Sequence, residues 1–282
     1  MARFRIALCN EVVRALDFAA QCSLAAKLGY DGLEVAPFTL SEAPHTLPTT
    51  RIAELRRIAA DAAIAISGLH WLLIKPDGLS LTDPDKTIRH RTIDVMRRLV
   101  ALCAELGGEY LVHGSPAQRR LPEGNPTDAS ATDARAWAME AFWLAADAAS
   151  AAGLRYCLEP LSRNETNFIN TIAEAADVIE TIDRPGLYTM LDAAAATRVE
   201  ADPPATLARR WLPSGLIGHV HLNDTSRLGP GQGDTPIAPI LRALTDGAYA
   251  HWIGIEPFDY VPDGPTSAAR AIGYVRGIEA TL

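Results

Sequence analysis

The sequence lacks the features that mark nucleic-acid-binding and membrane proteins. Its 282 residues carry a formal net charge of -8, and its Lys and Arg residues form no cluster long enough to follow a phosphate backbone. No apolar run approaches the ~20 residues that cross a bilayer. The apolar stretch before Asn10 is also too short for a signal peptide. We therefore expect neither a nucleic-acid nor a membrane partner.

Cysteine is scarce, and its spacing excludes the common cysteine motifs. The chain has four cysteines, and no two of them form a CxxC pair. Cys9 and Cys157 fall inside apolar, strand-like runs. This pattern predicts buried free thiols, which fit a reducing cytoplasmic location.

The chain instead shows a regular alternation of short apolar runs and longer segments rich in helix-forming residues. A short apolar run with Gly or Pro nearby is typical of a buried strand. Eight such runs separated by helical segments predict an α/β fold, with a single (β/α)8 barrel domain over residues 1–282. The runs are Phe4–Cys9, Gly32–Val35, Ala63–Leu69, Tyr110–His113, Arg155–Glu159, Tyr188–Asp192, Ile217–Leu222 and Trp252–Glu256.

An open, doubly wound sheet is the alternative architecture. It requires a Gly-rich phosphate-binding turn after the first strand. The residues at that position, Cys9 to Val12, contain no glycine. The closed barrel is therefore favoured.

Local signals predict where several helices begin and end. Thr171 and Glu174 form a capping box, and a cap residue precedes Pro at Asp83-Pro84 and Thr235-Pro236. Gly residues that follow helical segments predict three helix ends, at Gly29, Gly107 and Gly153.

Four Pro/Gly-rich segments read as long loops between a strand and the next helix. In a barrel such loops build the active-site face. They are Thr39–Pro48, Ser115–Pro126, Thr225–Pro236 and Asp259–Pro265.

Four residues with metal-ligand chemistry each end a separate apolar run. They are Glu159, Asp192, His221 and Glu256. A carboxylate at the end of a buried strand needs a compensating charge, and the ends of barrel strands meet at one face. The set therefore predicts one divalent cation, whose hard oxygen ligands favour Mn²⁺, with Mg²⁺, Co²⁺ or Zn²⁺ as alternatives. Structural salt bridges to nearby arginines are the competing interpretation.

Three further polar residues end earlier runs and are expected to point at the same cavity. Glu34, His70 and His113 are assigned here to substrate binding, although each could orient a metal ligand or bond locally instead. His219 lies two residues before His221 on the same strand face. It is expected to support a ligand carboxylate from behind.

Several motifs resemble a known family. The barrel with Glu, Asp, His and Glu at its later strand ends is similar to the xylose-isomerase-like sugar phosphate isomerase/epimerase superfamily. Within it, three segments resemble the ketose 3-epimerases that act on tagatose and allulose. They are Leu158–Glu165, Gly218–His221 and Ile255–Phe258, and a Gly-rich turn follows at Gly229–Gly233.

The resemblance implies roles for individual residues. Glu159 and Glu256 would be the acid/base pair as well as metal ligands, and Glu165 and Arg227 would contact substrate. It also implies a homo-oligomer, a dimer or a tetramer. One position departs from the family: the epimerases carry a His three residues after the metal-binding Asp, and this chain has Ala195. The resemblance therefore does not determine the end of the substrate that this His would contact, nor the exact substrate.

The main hypothesis is a metal-dependent isomerase or epimerase that forms an enediolate from a small sugar or hydroxy-ketone. A lyase or dehydratase acting through the same enediolate is the alternative. A hydrolase of the abasic-site endonuclease type is disfavoured by the net charge of -8 and by Ala195. A non-catalytic sugar-binding barrel is disfavoured by Glu159 and Glu256.

Overall fold

The computed structural model describes residues 3–124 and 128–282, and in it parallel strands β1 to β8 close into a barrel in chain order. β8 pairs with β1, so the sheet has no free edge. The predicted (β/α)8 barrel is confirmed. The strands are β1 (Arg5–Cys9), β2 (Gly32–Val35), β3 (Ala65–Leu69), β4 (Tyr110–His113), β5 (Arg155–Leu158), β6 (Leu187–Asp192), β7 (Ile217–Leu222) and β8 (Trp252–Ile255).

Helices surround the barrel, and in the described residues none is both long and apolar enough to cross a membrane. They are α1 (Phe18–Leu28), α2 (Thr49–Asp61), α3 (Lys86–Leu106), α4 (Ala129–Ala151), α5 (Ile172–Ile182), α6 (Ala193–Val199), α7 (Pro204–Trp211), α8 (Ile237–Asp246) and α9 (Gly264–Glu279). Short 3₁₀ helices occupy Asn10–Val13, Pro37–Thr39, Pro44–Thr46, Pro116–Arg119 and Leu212–Ser214.

Two apolar clusters follow from the alternation of side chains along each strand. Between the barrel and the helices lies a large core of aliphatic and aromatic residues. A smaller cluster fills the barrel interior and consists of Ala7, Tyr110, Val112, Cys157, Met190 and Trp252. Because successive side chains point to opposite faces of a strand, these interior residues define which later positions face the barrel mouth.

The predicted helix boundaries are partly confirmed. The Thr171 side chain caps α5 by accepting from the Glu174 backbone N–H at 3.1 Å, and Gly29, Gly107 and Gly153 follow helix ends with positive φ. The two Pro-based starts are corrected. α3 begins at Lys86 with Asp85 as its cap, because Asp83 accepts from the Asp85 N–H in a preceding turn. Thr235 is bonded to the Thr225 N–H and does not cap α8.

All four cysteines are buried and free, as predicted. The loops beginning at Ser115 and Thr225 supply residues to a cavity at the barrel mouth. Pro126, the predicted end of the second loop, lies outside the described residues.

The start of α9 packs against the segment that follows β1 and provides a test of the fold. A Cβ on Gly264 would lie 1.9 Å from the backbone oxygen of Val12, whereas one on Gly273 in the same helix would meet nothing within 4 Å. We expect Gly264→Ala to lower the free energy of unfolding by about 1–3 kcal/mol, since the backbone must move. Gly273→Ala, the matched control, should be neutral or stabilise by about 0.5–1 kcal/mol. Equal urea-unfolding energies for the two variants would contradict this packing.

Candidate metal centre and substrate cavity

Four strand-end residues converge at the mouth of the barrel. Glu159 follows β5, Asp192 ends β6, His221 lies near the end of β7 and Glu256 follows β8. One ligand atom from each lies within 4.8 Å of the others, and all four side chains are buried. The structure thus brings together the complete predicted ligand set.

Strand alternation explains why these residues meet. Cys157 and Met190 fill the barrel interior, so the residues two positions later, Glu159 and Asp192, also point inward. Gly254 stands two residues before Glu256, and a Cβ there would lie 2.3 Å from the Glu34 carboxylate and 2.7 Å from the His221 ring. Glycine at this position makes room for both buried groups.

The donor atoms fit a cation. His221 Nδ1 lies 3.0 Å from Glu256 Oε2 and 3.9 Å from both Glu159 Oε1 and Asp192 Oδ2. Although they lie 3.0 Å apart, His221 Nδ1 and Glu256 Oε2 are not aligned for a hydrogen bond, and neither has another partner among residues 3–124 and 128–282. A buried nitrogen and three carboxylates that converge without satisfying one another are typical of a site for a hard divalent ion.

Glu34 fixes the orientation of His221. Its Oε1 lies 2.9 Å from His221 Nε2, so the opposite ring nitrogen faces the other ligands. Its Oε2 accepts from the Tyr110 hydroxyl at 2.8 Å and lies 3.1 Å from His219 Nε2. Such a carboxylate sets the tautomer of a metal-binding histidine.

These contacts correct two predicted roles. Glu34 is fully buried behind His221 and does not belong to the cavity wall, so its contact is with His221 and not with the cavity where a substrate would bind. His219 was predicted to bond a ligand carboxylate, but its Nε2 lies 3.1 Å from Glu34, which is not one of the four predicted ligands.

Glu256 is held by a chain of polar groups. Its Oε1 accepts from Trp71 Nε1 at 2.9 Å and lies 3.2 Å from His70 Nδ1. The other nitrogen of His70 lies 2.9 Å from Glu11 Oε2. His70 is fully buried between two carboxylates, so its predicted substrate contact is replaced by one that positions Glu256.

Glu11 was not identified from the sequence, although the signal was present. It lies two residues after Cys9, the end of β1. A search for polar residues up to two positions beyond each predicted strand would therefore have found Glu11.

His113 points away from the cavity, contrary to prediction. Val112 is the inward residue of β4, so the next side chain faces the helices. His113 Nδ1 lies 2.7 Å from the Tyr156 hydroxyl, and its ring packs edge-on against Phe142. Burial, followed by the charge of Arg119, lowers the pKa of His113 well below its usual range, so it is a neutral, structural histidine.

Gly114 directly follows β4 and lies at the barrel mouth. It lines the cavity, and a Cβ there would lie 2.3 Å from Glu159 Oε2. Any larger residue would displace the Glu159 carboxylate.

Arg119 is buried and bonds the backbone beside the candidate site, a role that the sequence pattern did not predict. Its guanidinium donates to the backbone oxygens of His113 at 3.0 Å and Glu159 at 2.6 Å. A third bond reaches the Ile169 oxygen at 3.3 Å. Arg119 therefore ties the ends of β4 and β5 to the loop after β5.

A cavity of about 230 Å³ opens above the four converging residues. Trp71 and Phe258 form one wall, with ring centroids 6.4 Å apart. Ala195 also lines the cavity, and its backbone N–H donates to Asp192 Oδ1 at 2.6 Å. The size and mixed lining suit a small polar ligand.

Glu165 and Arg227 lie at the rim, where the sequence placed them. Both line the cavity. The Glu165 carboxylate accepts from Ser162 Oγ at 2.6 Å, and Arg227 Nε donates to Asp259 Oδ2 at 3.1 Å. Their predicted contacts with substrate are compatible with these positions and stay predictions.

The electrostatics separate the two candidate acid/base residues. Burial raises the pKa of Glu159 well above its usual range, and the charge of Glu256 raises it further. Burial acts in the same direction on Glu256, but His221 and then His70 outweigh it and lower this pKa to about 2. A pair of carboxyl groups whose pKa values are pushed apart is typical of acid/base catalysis.

The other two converging groups are also shifted. Burial and then the charge of Glu256 raise the pKa of Asp192 to about 6. Burial acts to lower the pKa of His221, but Glu34 and Glu256 outweigh it and raise it well above its usual range. Both raised pKa values favour the protonated forms of Glu159 and His221, so protons compete with a cation for these two groups.

Known proteins resemble this chain in both sequence and fold. A family model described as xylose isomerase-like TIM barrel matches residues 22–278. D-psicose 3-epimerase of Ruminiclostridium cellulolyticum is 29% identical over 246 residues, which cover 86% of this chain and 78% of the relative. L-ribulose 3-epimerase of Mesorhizobium japonicum is 31% identical over 183 residues, which cover 65% and 59% of the two chains.

A solved structure of L-ribulose 3-epimerase superposes with a TM-score of 0.82 and 22% sequence identity. The alignment covers 99% of this chain and 97% of the other. At this identity the superposition establishes a shared fold.

The shifted pKa values predict that cation affinity depends on pH. A cation bound at His221 Nδ1 and Glu159 needs both in their deprotonated forms, and their raised pKa values strengthen the competition from protons as the pH falls. The association constant for Mn²⁺ should therefore fall as pH falls from 8 to 6, by roughly 10-fold or more.

Titration calorimetry in two buffers with different ionisation enthalpies measures both the affinity and the protons released. We expect one Mn²⁺ per chain and release of at least one proton at pH 7. A pH-independent affinity without proton release would contradict the direction of these two pKa shifts.

Proposed function

This chain belongs to the xylose isomerase-like TIM-barrel family, and we propose that it is a divalent-metal-dependent ketose epimerase or isomerase that works through an enediolate. Its named relatives are sugar epimerases, which supports an enzyme of the isomerase/epimerase class. The observation that carries the finer proposal is the convergence of Glu159 and Glu256 with Asp192 and His221 on one buried point.

The donor set determines which cations fit. Three carboxylates and one imidazole suit Mn²⁺, Mg²⁺ or Co²⁺ better than a site built of thiolates would. When bound, such an ion supplies Lewis acidity that favours loss of a proton beside a carbonyl. The donor set supports Mn²⁺ as the first metal to test.

Glu159 and Glu256 are placed to move that proton. They follow β5 and β8, which lie on different sides of the barrel, so their carboxyl groups approach a ligand in the cavity from different directions. One of these two carboxyl groups would take a proton from one face of a carbon, and the other would deliver a proton to the opposite face. That exchange inverts the carbon, which is epimerisation. Return of the proton to the adjacent carbon is isomerisation.

The surrounding residues hold this arrangement in place. His70 and Trp71 fix Glu256 Oε1, and Glu34 fixes His221. The Trp71 and Phe258 rings exclude water from one side of the cavity, which strengthens the electrostatic interactions inside.

The experiment follows deuterium incorporation from D₂O into ketoses by NMR at saturating Mn²⁺, with C1 and C3 observed separately. Exchange at C3 reports the deprotonation that leads to a C3 epimer, and exchange at C1 reports the one that leads to an aldose. An elimination product is identified by the hydroxyl group that it has lost. Wild-type protein should exchange at least one ketose in a panel. Identification of the product then separates an epimerase or isomerase from a lyase or dehydratase.

Glu256→Gln should lower the exchange rate by roughly 10²- to 10⁴-fold because an amide cannot accept the substrate proton. Glu180→Gln, an exposed change on α5, serves as the matched control and should exchange at the wild-type rate. Bound Mn²⁺ is measured in each variant, so that lost chemistry is separated from lost metal. A wild-type rate in Glu256→Gln would remove this residue from proton transfer.

A further inference from the structure

Helix α6 begins at the candidate metal centre and carries residues that line the cavity. Asp192 is the N-cap of this helix, and Ala195 and Arg198 follow at intervals of three residues. At ~1.5 Å of rise per residue, the Arg198 Cα lies about 9 Å from that of Asp192 along the helix axis. Both Ala195 and Arg198 line the cavity. The methyl group of Ala195 therefore leaves a path between the candidate metal centre and the Arg198 side chain.

Arg198 faces this path without a carboxylate partner. Its Nη2 donates to the Thr225 backbone oxygen at 2.9 Å, and in the described parts of the chain no Asp or Glu forms an ion pair with it. Arg227 lies two residues after Thr225 and also lines the cavity. The two guanidinium groups thus belong to one side of the cavity rim.

Both guanidinium groups retain donors for a ligand. Arg227 uses Nε to bond Asp259, and its guanidinium carbon lies 5.2 Å from the Phe258 ring centroid. A guanidinium carries five N–H donors, so the contacts made within the described residues leave several unused in each.

We propose that the substrate carries an anionic group, a phosphate or a carboxylate, which Arg198 binds together with Arg227 beyond Ala195. This rests on the proposed function and narrows its substrate class. Two guanidinium groups at one rim match the planar, multidentate geometry with which arginine binds these anions. The reacting carbons lie over the buried carboxylates, and the anionic group extends along α6.

A purely structural role for Arg198 predicts a different result. If Arg198 only holds the Thr225 loop, its removal changes activity on neutral and anionic ketoses by the same factor. If Arg198 instead binds an anionic group of the substrate, its removal lowers activity on anionic ketoses more than on neutral ones and so changes the ratio of the two activities. The ratio is therefore the decisive readout.

The test compares kcat/KM for C3 deuterium incorporation with saturating Mn²⁺. The probes are D-fructose, D-fructose 1-phosphate, D-fructose 6-phosphate and 2-keto-D-gluconate. At least one anionic probe should exceed D-fructose by roughly 10-fold, and Arg198→Gln should reduce that ratio by roughly 10- to 100-fold, the range for hydrogen bonds to charged groups. Arg198→Lys should retain part of the ratio. Arg57→Gln, which removes the same charge from an exposed site on α2, should leave it unchanged.

The outcomes separate this proposal from the proposed function. A preference confined to the sugar phosphates assigns a phosphate, and one confined to 2-keto-D-gluconate assigns a carboxylate. Exchange of D-fructose as fast as of every anionic probe, or an unchanged ratio in Arg198→Gln, overturns the anion site and leaves the epimerase or isomerase standing. Absence of exchange with all four probes contradicts both.

Discussion

The bond between Glu34 and His221 is the interaction on which the candidate site depends. A carboxylate on β2 lies 2.9 Å from Nε2 of a histidine on β7, across the closed barrel. That contact turns Nδ1 toward Glu159, Asp192 and Glu256. Burying so much ionisable chemistry is costly unless each group is paired. The barrel offsets this cost with a network of paired charges, which the proposed cation would complete.

Close packing beneath the site explains its geometry. Gly114 and Gly254 leave space that the Glu159 and Glu34 carboxylates fill, and Tyr110 spans the interior to bond Glu34. Arg119 holds the Glu159 backbone from the side. The reactive groups therefore lie on strand ends supported from below, while the loops above contribute Arg227 and Glu165. Such a division suits a rigid reaction centre with a variable substrate rim.

Much of this could be predicted from the sequence because strands and barrel ligands leave local signals. A carboxylate that ends an apolar run identified Glu159, Asp192 and Glu256. His113 ends a run in the same way, but its direction depends on which β4 residues fill the barrel, which only the assembled fold determines. Arg119 and Arg198 lie among ordinary polar residues, and their positions depend on contacts with distant segments, at Glu159 and Thr225.

The central claim is that one cation joins these four side chains, and a crystal structure with Mn²⁺ tests it most directly. Anomalous diffraction at the manganese edge should give one strong peak at the barrel mouth. We expect Glu159, Asp192, Glu256 and Nδ1 of His221 at about 2.0–2.4 Å from it, with Nε2 of His221 still bonded to Glu34. A peak elsewhere, or coordination that omits His221 or two of the carboxylates, would contradict the account.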